Sequence, residues 1–312
     1  MTNIEEKLIN GLNPQQKEAV LAIDGPVRVV AGAGSGKTSV LTKRVALMLE
    51  RGISPYNILA ITFTNKAANE MKERIAGLVG KELADKITIS TFHSFCARFI
   101  RRNVDAVPNL KDKNFTIKDE DDKKALINDC LKTLNIEAKA SWFANAISDF
   151  KNNLLLPETI EVDWKNKDYV AVYQMYQERL KANNSCDFDD LLVLFWKMLK
   201  QRPDLLERFQ EQFKYISVDE YQDTNVIQYK LIKMLSEVHK NICVVGDDDQ
   251  SIYSWRGACS DNIINFEKDY ENVEIIFLDQ NYRSNSTILD VANAVIKNNT
   301  DRKDKALWSE NK

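Results

Sequence analysis

The chain has 312 residues, 44% hydrophobic and 29% charged, a balance that fits one large folded domain or two smaller ones and excludes a disordered or fibrous chain. Its net charge of −3, from 43 basic and 46 acidic side chains, does not by itself mark a nucleic-acid binder. No apolar run approaches the ~18 residues of a membrane span, and the start "MTNIEEKLIN" lacks an export pattern, so a cytoplasmic chain with no membrane partner is expected.

The elements alternate along the chain. "VRVVA" (27–31) reads as a buried strand, and "TSVLTKRVALMLERG" after it as a helix that Gly52 stops. "ILAITF" (58–63) and "ITIS" (87–90) are two further strands. From 101 to 184 the alternation breaks into helical patterns, among them "DEDDKKALINDCLKTL", whose leading acids suit a helix N-terminus. Strands resume at "YISVD" (215–219), "ICVVG" (242–246) and "EIIFL" (274–278). Near-continuous apolar strands separated by helices predict an α/β fold, a parallel sheet covered by helices on both faces. Residues 1–100 and 185–312 are expected to build that sheet, and 101–184 to form an inserted all-helical subdomain. Five cysteines without a CxxC pair and two histidines argue against a disulfide framework or a zinc site.

Chemistry gathers at the strand ends. After 27–31 comes "AGAGSGKT", in which Gly32, Gly34 and Gly36 let backbone N–H groups converge on phosphate oxygens, with the dipole of the next helix behind them. Lys37 is placed to reach the β- and γ-phosphates and Thr38 to bind Mg²⁺. Ala31 stands where the usual loop pattern has its first glycine. Residues 185–312 carry 16 basic and 23 acidic side chains, and several of the acids sit in "VDEYQD" and "GDDDQ". Such clusters beside a phosphate loop point to a metal site. In the first, Asp219 would hold Mg²⁺ through its water shell and Glu220 would act as general base toward the attacking water. After the second, Gln250 could sense the γ-phosphate or that water, and Tyr253, Trp255 and Arg256 suit stacking on unpaired bases. In "FLDQNYRS", Arg283 could stabilise charge on the transferred phosphoryl group, and Tyr282 offers a flat face to adenine.

Taken together, these motifs resemble those of the UvrD/Rep/PcrA-type superfamily-one DNA helicases, in the family's order over nearly the whole chain. "LNPQQ" (12–16) resembles the adenine-reading Q motif, and "AGAGSGKT" the family's own phosphate loop. "FTNKAANEM" (63–71) and "TFHSF" (91–95) resemble its single-strand-binding motifs, and "DFDDLL" (187–192) marks a return into the sheet. The resemblance implies a RecA-like P-loop NTPase fold. It also implies use of ATP and Mg²⁺ for 3′ to 5′ movement on single-stranded DNA, with unwinding at single-strand/duplex junctions, by a monomer. Gln16, Ala31, Gly32, Ala33, Gly34, Ser35, Gly36, Lys37, Thr38, Ser39, Tyr282 and Arg283 would then contact the nucleotide. Phe63, Thr64, Asn65, His93, Phe188, Tyr253, Trp255 and Arg256 would line the DNA track.

Ser39 and Ser254 stand where relatives often carry a basic residue, and Asp248 adds a carboxylate beside the γ-phosphate region. The chain stops at "DRKDKALWSENK", where the family would continue into a second motor domain. That domain is expected to be absent, and the chain alone to unwind poorly. Two rivals are a small-molecule kinase or transport ATPase, which gives "TFHSF" and "YSWRGA" no role, and a nucleotide-switched single-stranded DNA-binding module without turnover.

Overall fold

The computed structural model describes residues 3–251, 261–298 and 305–311. Among these described residues eight strands run β1 (Pro26–Ala31), β2 (Ile58–Thr62), β3 (Thr88–Thr91), β4 (Thr116–Lys118), β5 (Ser185–Asp187), β6 (Tyr215–Val218), β7 (Ile242–Gly246) and β8 (Glu274–Leu278). Six of them form one parallel sheet in the order β3-β2-β6-β7-β1-β8. All six expected strands are present. β1 and β2 are buried at every position, as their unbroken apolar runs require of strands covered on both faces. Each fully buried aliphatic side chain here contributes about 1.5–3 kcal/mol.

The chain divides into two compact units, Met1–Thr91 with Glu207–Thr224 and Lys233–Lys312, and Phe92–Leu206 with Asn225–Ile232. The first holds the six-stranded sheet. Its core joins Val27, Val29 and Ala31 of β1, Cys243 and Val245 of β7, and Ile276 and Leu278 of β8 to Val40, Leu41, Val45 and Met48 of the helix Lys37–Glu50. The buried Arg44 of that helix donates to the carbonyls of Ala19 and Ile23, both at 2.9 Å. It thereby satisfies carbonyls at the end of the helix Pro14–Leu21, where a cation also suits the dipole.

The second unit packs helices Glu120–Thr133, Ala140–Asn152 and Lys167–Ala182 around Ile127, Phe143, Ile147, Val172, Tyr173 and Tyr176. It is helical with one addition, the parallel ladder of β4 and β5 in the register Ile117↔Cys186. Runs of three residues carry no readable period, so that pairing could not be foreseen.

A second feature belongs to this unit. Lys151, with no exposed side-chain surface, lies 2.7 Å from Asp187 and 2.8 Å from Asp190. Lys123 lies 2.9 Å from Asp189 and 3.5 Å from Asp187. Tyr176 donates to Asp187 at 2.9 Å, Gln177 to Asp190 at 3.0 Å and Ser148 to Asp189 at 2.6 Å. Asp187 and Asp190 also form a reciprocal cap on the helix Phe188–Gln201. The acids of "DFDDLL" are therefore a buried structural knot.

Candidate nucleotide site and aromatic surface

The loop 32–36 is held by its carbonyls. Asn281 donates to Ala33 C=O at 2.6 Å, Tyr282 N–H to Gly34 C=O at 2.9 Å and Gln16 Nε2 to Ser35 C=O at 2.9 Å. Ser35 Oγ donates to Gly32 C=O at 2.7 Å. Gly32 N–H is spent on Leu278 C=O at 3.4 Å and Ser35 N–H on Gly32 C=O at 3.2 Å, which leaves the N–H groups of Ala33, Gly34 and Gly36 as the loop's candidate donors. Gly34 (φ 73°) and Gly36 (φ 89°) adopt the left-handed region that permits this turn. Neither has room for a side chain. A Cβ on Gly34 would lie 2.8 Å from both Arg283 Cβ and Asn281 Nδ2, and one on Gly36 2.9 Å from Gln16 Nε2. The first bond of the helix Lys37–Glu50 runs from Val40 N–H to Gly36 C=O, so the N–H groups of Lys37, Thr38 and Ser39 have no intrahelical acceptor. That is the donor set of an anion site.

β7 lies between β1 and β6, which sets the acids of the β6 end about 10 Å across the sheet from the phosphate loop. Lys37 spans that gap, with Nζ 3.0 Å from Glu220 Oε2. Glu220 is held with φ 48°, a left-handed conformation that costs a non-glycine residue about 1–3 kcal/mol and that clusters at active sites. Burial, then the neighbouring Glu220, push Asp219 up to about 6, against the pull of Lys37. Asp223 is pushed up to about 6 by the same two causes in the same order. Three carboxylates share one lysine, and Asp223 Oδ1 is buried with no hydrogen-bond partner among the described residues. Such an excess of negative charge is of the kind a divalent cation offsets, although among the described residues no three His, Cys, Asp or Glu side chains are arranged as a ready-made metal site.

Gln222 had no role read from sequence. Its side chain is 2% exposed; Nε2 donates to Glu220 Oε2 at 2.8 Å and Oε1 accepts from Asp247 N–H at 3.0 Å. It thus joins the β6 end to the β7 end. Gly246 makes the contact possible, because a Cβ there would lie 2.6 Å from Gln222 Oε1. Beyond it, Gln250 Nε2 bonds Asp247. Asn281, also unassigned from sequence, is 3% exposed and accepts from Arg283 and Ser284 N–H at 2.8 and 2.7 Å. It therefore pins the arginine-bearing turn to Ala33. The Arg283 side chain is exposed and its guanidinium has no ion pair among the described residues.

Some expectations change. The "GDDDQ" acids do not form a metal cluster: Arg28 of β1 pairs with Asp248 at 2.7 Å and also with Glu267, while Lys305 contacts Asp247 and lies 3.2 Å from Asp249. Asp248 is thus turned to a buried cation. Gln16 is 5% exposed and uses its Oε1 in a capping box with Asn13 and its Nε2 on the loop. Thr64 caps the helix Asn65–Val79 by accepting from Ala67 N–H at 3.1 Å. Tyr282, 49% exposed, has its hydroxyl tied to Gln280 and Asn13 at 3.0 Å each, leaving the ring open to solvent.

Phe63 is half-buried and Asn65 exposed, the latter accepting from Thr91 at 3.4 Å. In the second unit His93 meets Phe188 edge to face, with centroids 6.2 Å apart. Phe188 is 49% exposed, and burial lowers the His93 pKa against the pull of Asp189 and Asp187. This pair is a partly exposed aromatic surface. Tyr253, Ser254, Trp255 and Arg256 lie outside the described residues. A cavity of about 570 Å³ in the second unit, lined by Leu156, Tyr173, Gln177 and Trp196, includes none of the candidate site residues.

Residues 12–271 match the family model described as the UvrD/REP helicase N-terminal domain. The chain is 51% identical over 311 residues to the "ATP-dependent DNA helicase PcrA" of Staphylococcus aureus (strain Mu50). It is 50% identical over 311 residues to the protein of the same name from Staphylococcus epidermidis (strain ATCC 12228). Each alignment takes in 97% of this chain and 42% of the relative, so the chain spans less than half the length of these relatives. With a phosphate loop, facing acids and a parallel six-stranded sheet in place, the chain belongs to the UvrD/REP helicase N-terminal domain family.

Proposed function

We propose that the protein hydrolyses ATP with Mg²⁺ and couples turnover to 3′ to 5′ movement on single-stranded DNA, opening duplex at junctions. One observation carries this reading: Lys37 of the phosphate loop reaches Glu220 across the sheet at 3.0 Å, beside an Asp219 whose pKa is pushed up to about 6. The similarity to ATP-dependent DNA helicases supports the choice of ATP and DNA.

In this reading, residues 32–39 and Lys37 hold the phosphates and Ala31 ends the strand that carries them. Thr38 and Asp219 hold Mg²⁺, which when bound offsets charge on the phosphate oxygens. A phosphate oxygen that draws the ammonium of Lys37 leaves Glu220 Oε2 to accept a proton from the attacking water. Gln250 orients that water, and Arg283 meets the charge that develops on the transferred group. Tyr282 and the second N–H of Gln16 Nε2, the one not spent on Ser35, would face the base. Phe63, Thr64 and Asn65 of the first unit, His93 and Phe188 of the second, and Tyr253, Trp255 and Arg256 would each contact the DNA, where stacking is worth ~1–3 kcal/mol per base. Residues 1–100 and 185–312 would be the motor and 101–184 its insertion. Four buried free thiols, Cys96, Cys130, Cys186 and Cys243, support a reducing, cytoplasmic setting.

Phosphate release on the protein, with and without an oligothymidylate, tests the proposal, together with strand separation on a tailed duplex. DNA-stimulated hydrolysis is expected. Nucleotide-dependent DNA binding with no hydrolysis would replace it by the switched binding module.

A further inference from the structure

We propose that Lys305 is a positioning residue for ATP hydrolysis, holding Gln250 toward the attacking water through Asp247; this rests on the role for Gln250 just given. The segment 305–311 is in fixed register with the sheet. Trp308 N–H donates to Asp279 C=O at 3.1 Å, and Asn281 N–H donates to Trp308 C=O at 2.7 Å. Asn293 bonds both backbone groups of Leu307, and Ser286 N–H donates to Asn311 C=O at 3.0 Å. Leu307 is seated over the phosphate loop, so that a Cβ on Gly32 would lie 2.3 Å from Leu307 Cδ2.

That register delivers Lys305 to the β7 end. Its side chain is 5% exposed, in contact with Asp247 and 3.2 Å from Asp249. Asp247 is 3% exposed, so its carboxylate is held by protein partners, Lys305 among them. With Lys305 beside it, Asp247 does two things. Oδ1 accepts from Asp249 N–H at 3.1 Å, which shapes the turn, and Oδ2 accepts from the side chain of Gln250. The second bond fixes which way the Gln250 amide points, oxygen against nitrogen. Without the lysine, the buried Asp247 carboxylate loses its charged partner and is free to turn toward another, which alters what Gln250 is bonded to. Gln222 ties Asp247 N–H to Glu220, so an error at Asp247 falls between the two groups that handle the water. Segment 305–311 therefore spans both ends of the phosphate site, with Leu307 at Gly32 and Lys305 at Asp247.

The test is a cycle on the full-length protein with Lys305→Met, Lys305→Arg, Gln250→Ala and the Lys305→Met/Gln250→Ala double variant. It reads DNA-stimulated kcat and the affinity for a fluorescent ATP analogue. Lys305→Met is expected to lower kcat about 10- to 100-fold, with nucleotide affinity changed less than about threefold. Lys305→Arg should recover most of the rate. In the Gln250→Ala background, Lys305→Met should cost little more, because both changes remove one effect. An unchanged kcat, additive losses, or loss of nucleotide binding together with turnover would each overturn the assignment. A parent protein with no turnover would instead refute the hydrolytic reading on which it rests.

Discussion

Two acid clusters follow strands in this chain and look alike in sequence, "DFDD" at 187–190 and "DEYQD" at 219–223, yet the structure treats them oppositely. In the second unit three aspartates meet two lysines, a tyrosine hydroxyl, a serine hydroxyl and a glutamine amide, and both lysines are buried. In the first, Asp219, Glu220 and Asp223 share Lys37, and burial with mutual repulsion holds Asp219 and Asp223 near 6. A third cluster, "GDDDQ", belongs with the knot, since Arg28 and Lys305 pair with its acids. Acids after a strand brace the fold where two buried cations engage them, and are left to form a site where a single lysine does.

The sharpest way to break that comparison is to remove one acid from the undercompensated cluster. Glu220→Gln keeps the shape and can still accept from Gln222, but it cannot take a proton. Turnover should fall by at least about 10³-fold, while a fluorescent ATP analogue binds as before. A variant that turns over normally would reduce Glu220 to a partner for Lys37.

The same chemistry at the knot should instead cost stability. Asp187→Asn leaves Lys151 and Lys123 buried with less counter-charge, which costs about 3–5 kcal/mol. Urea unfolding of the two variants reads the contrast directly, since Glu220→Gln removes a charge from a crowded acid site and should shift the midpoint little. Equal destabilisation by Glu220→Gln and Asp187→Asn would erase the distinction.

Within the knot, pH separates the two capping acids. Burial, then Asp187, push Asp190 up to about 6 from its ordinary 3.8, with Lys151 opposing. Asp187, although buried, is drawn below its ordinary value by Lys151 and Lys123. Folding therefore takes up a proton at Asp190 between about pH 4 and pH 6. The stability this gives is complete below the unfolded value and is lost as pH rises through about 6. Asp187 contributes in the opposite sense, with stability that is present above 3.8 and lost as pH falls through its lowered value. Asp190→Asn should flatten the decline in thermal midpoint between about pH 4 and 6.5, by an amount worth up to about 3 kcal/mol. An unaltered slope would mean that another group carries it.

Much of this was legible from the residues. Apolar runs of four to six residues with polar ends marked all six sheet strands, because strands covered on both faces admit few polar side chains. Glycines followed by Lys37-Thr38 marked the loop, because few residues other than glycine tolerate φ 73° and 89° there. What could not be read was pairing between distant segments. Lys123 and Lys151 sit on exposed-looking helical patterns, and only the packed unit brings them to Asp187. Gln222 and Asn281 stood inside motifs that were seen, but an amide has no charge or period to announce a bridging role. Lys305, near the last residue, lies 58 positions from Asp247.

Gly246 is where the smallest change tests the link between the β6 and β7 ends. A methyl group there would sit 2.6 Å from Gln222 Oε1 and 3.3 Å from the backbone nitrogens of Gln222 and Tyr221. The side-chain oxygen can yield, whereas the backbone can do so only by shifting the turn. Gly246→Ala should therefore cost stability at the low end of the roughly 1–3 kcal/mol of an overpacked site. Its effect on turnover should be larger than that cost implies, because the displaced amide bonds both Glu220 and Asp247. Gln222→Ala in the same background removes the 2.6 Å side-chain clash along with the bridge, leaving only the looser backbone contacts. If the bridge matters, Gly246→Ala and Gln222→Ala lower kcat alike and the double variant goes no lower; if only packing matters, Gln222→Ala restores the rate that Gly246→Ala loses.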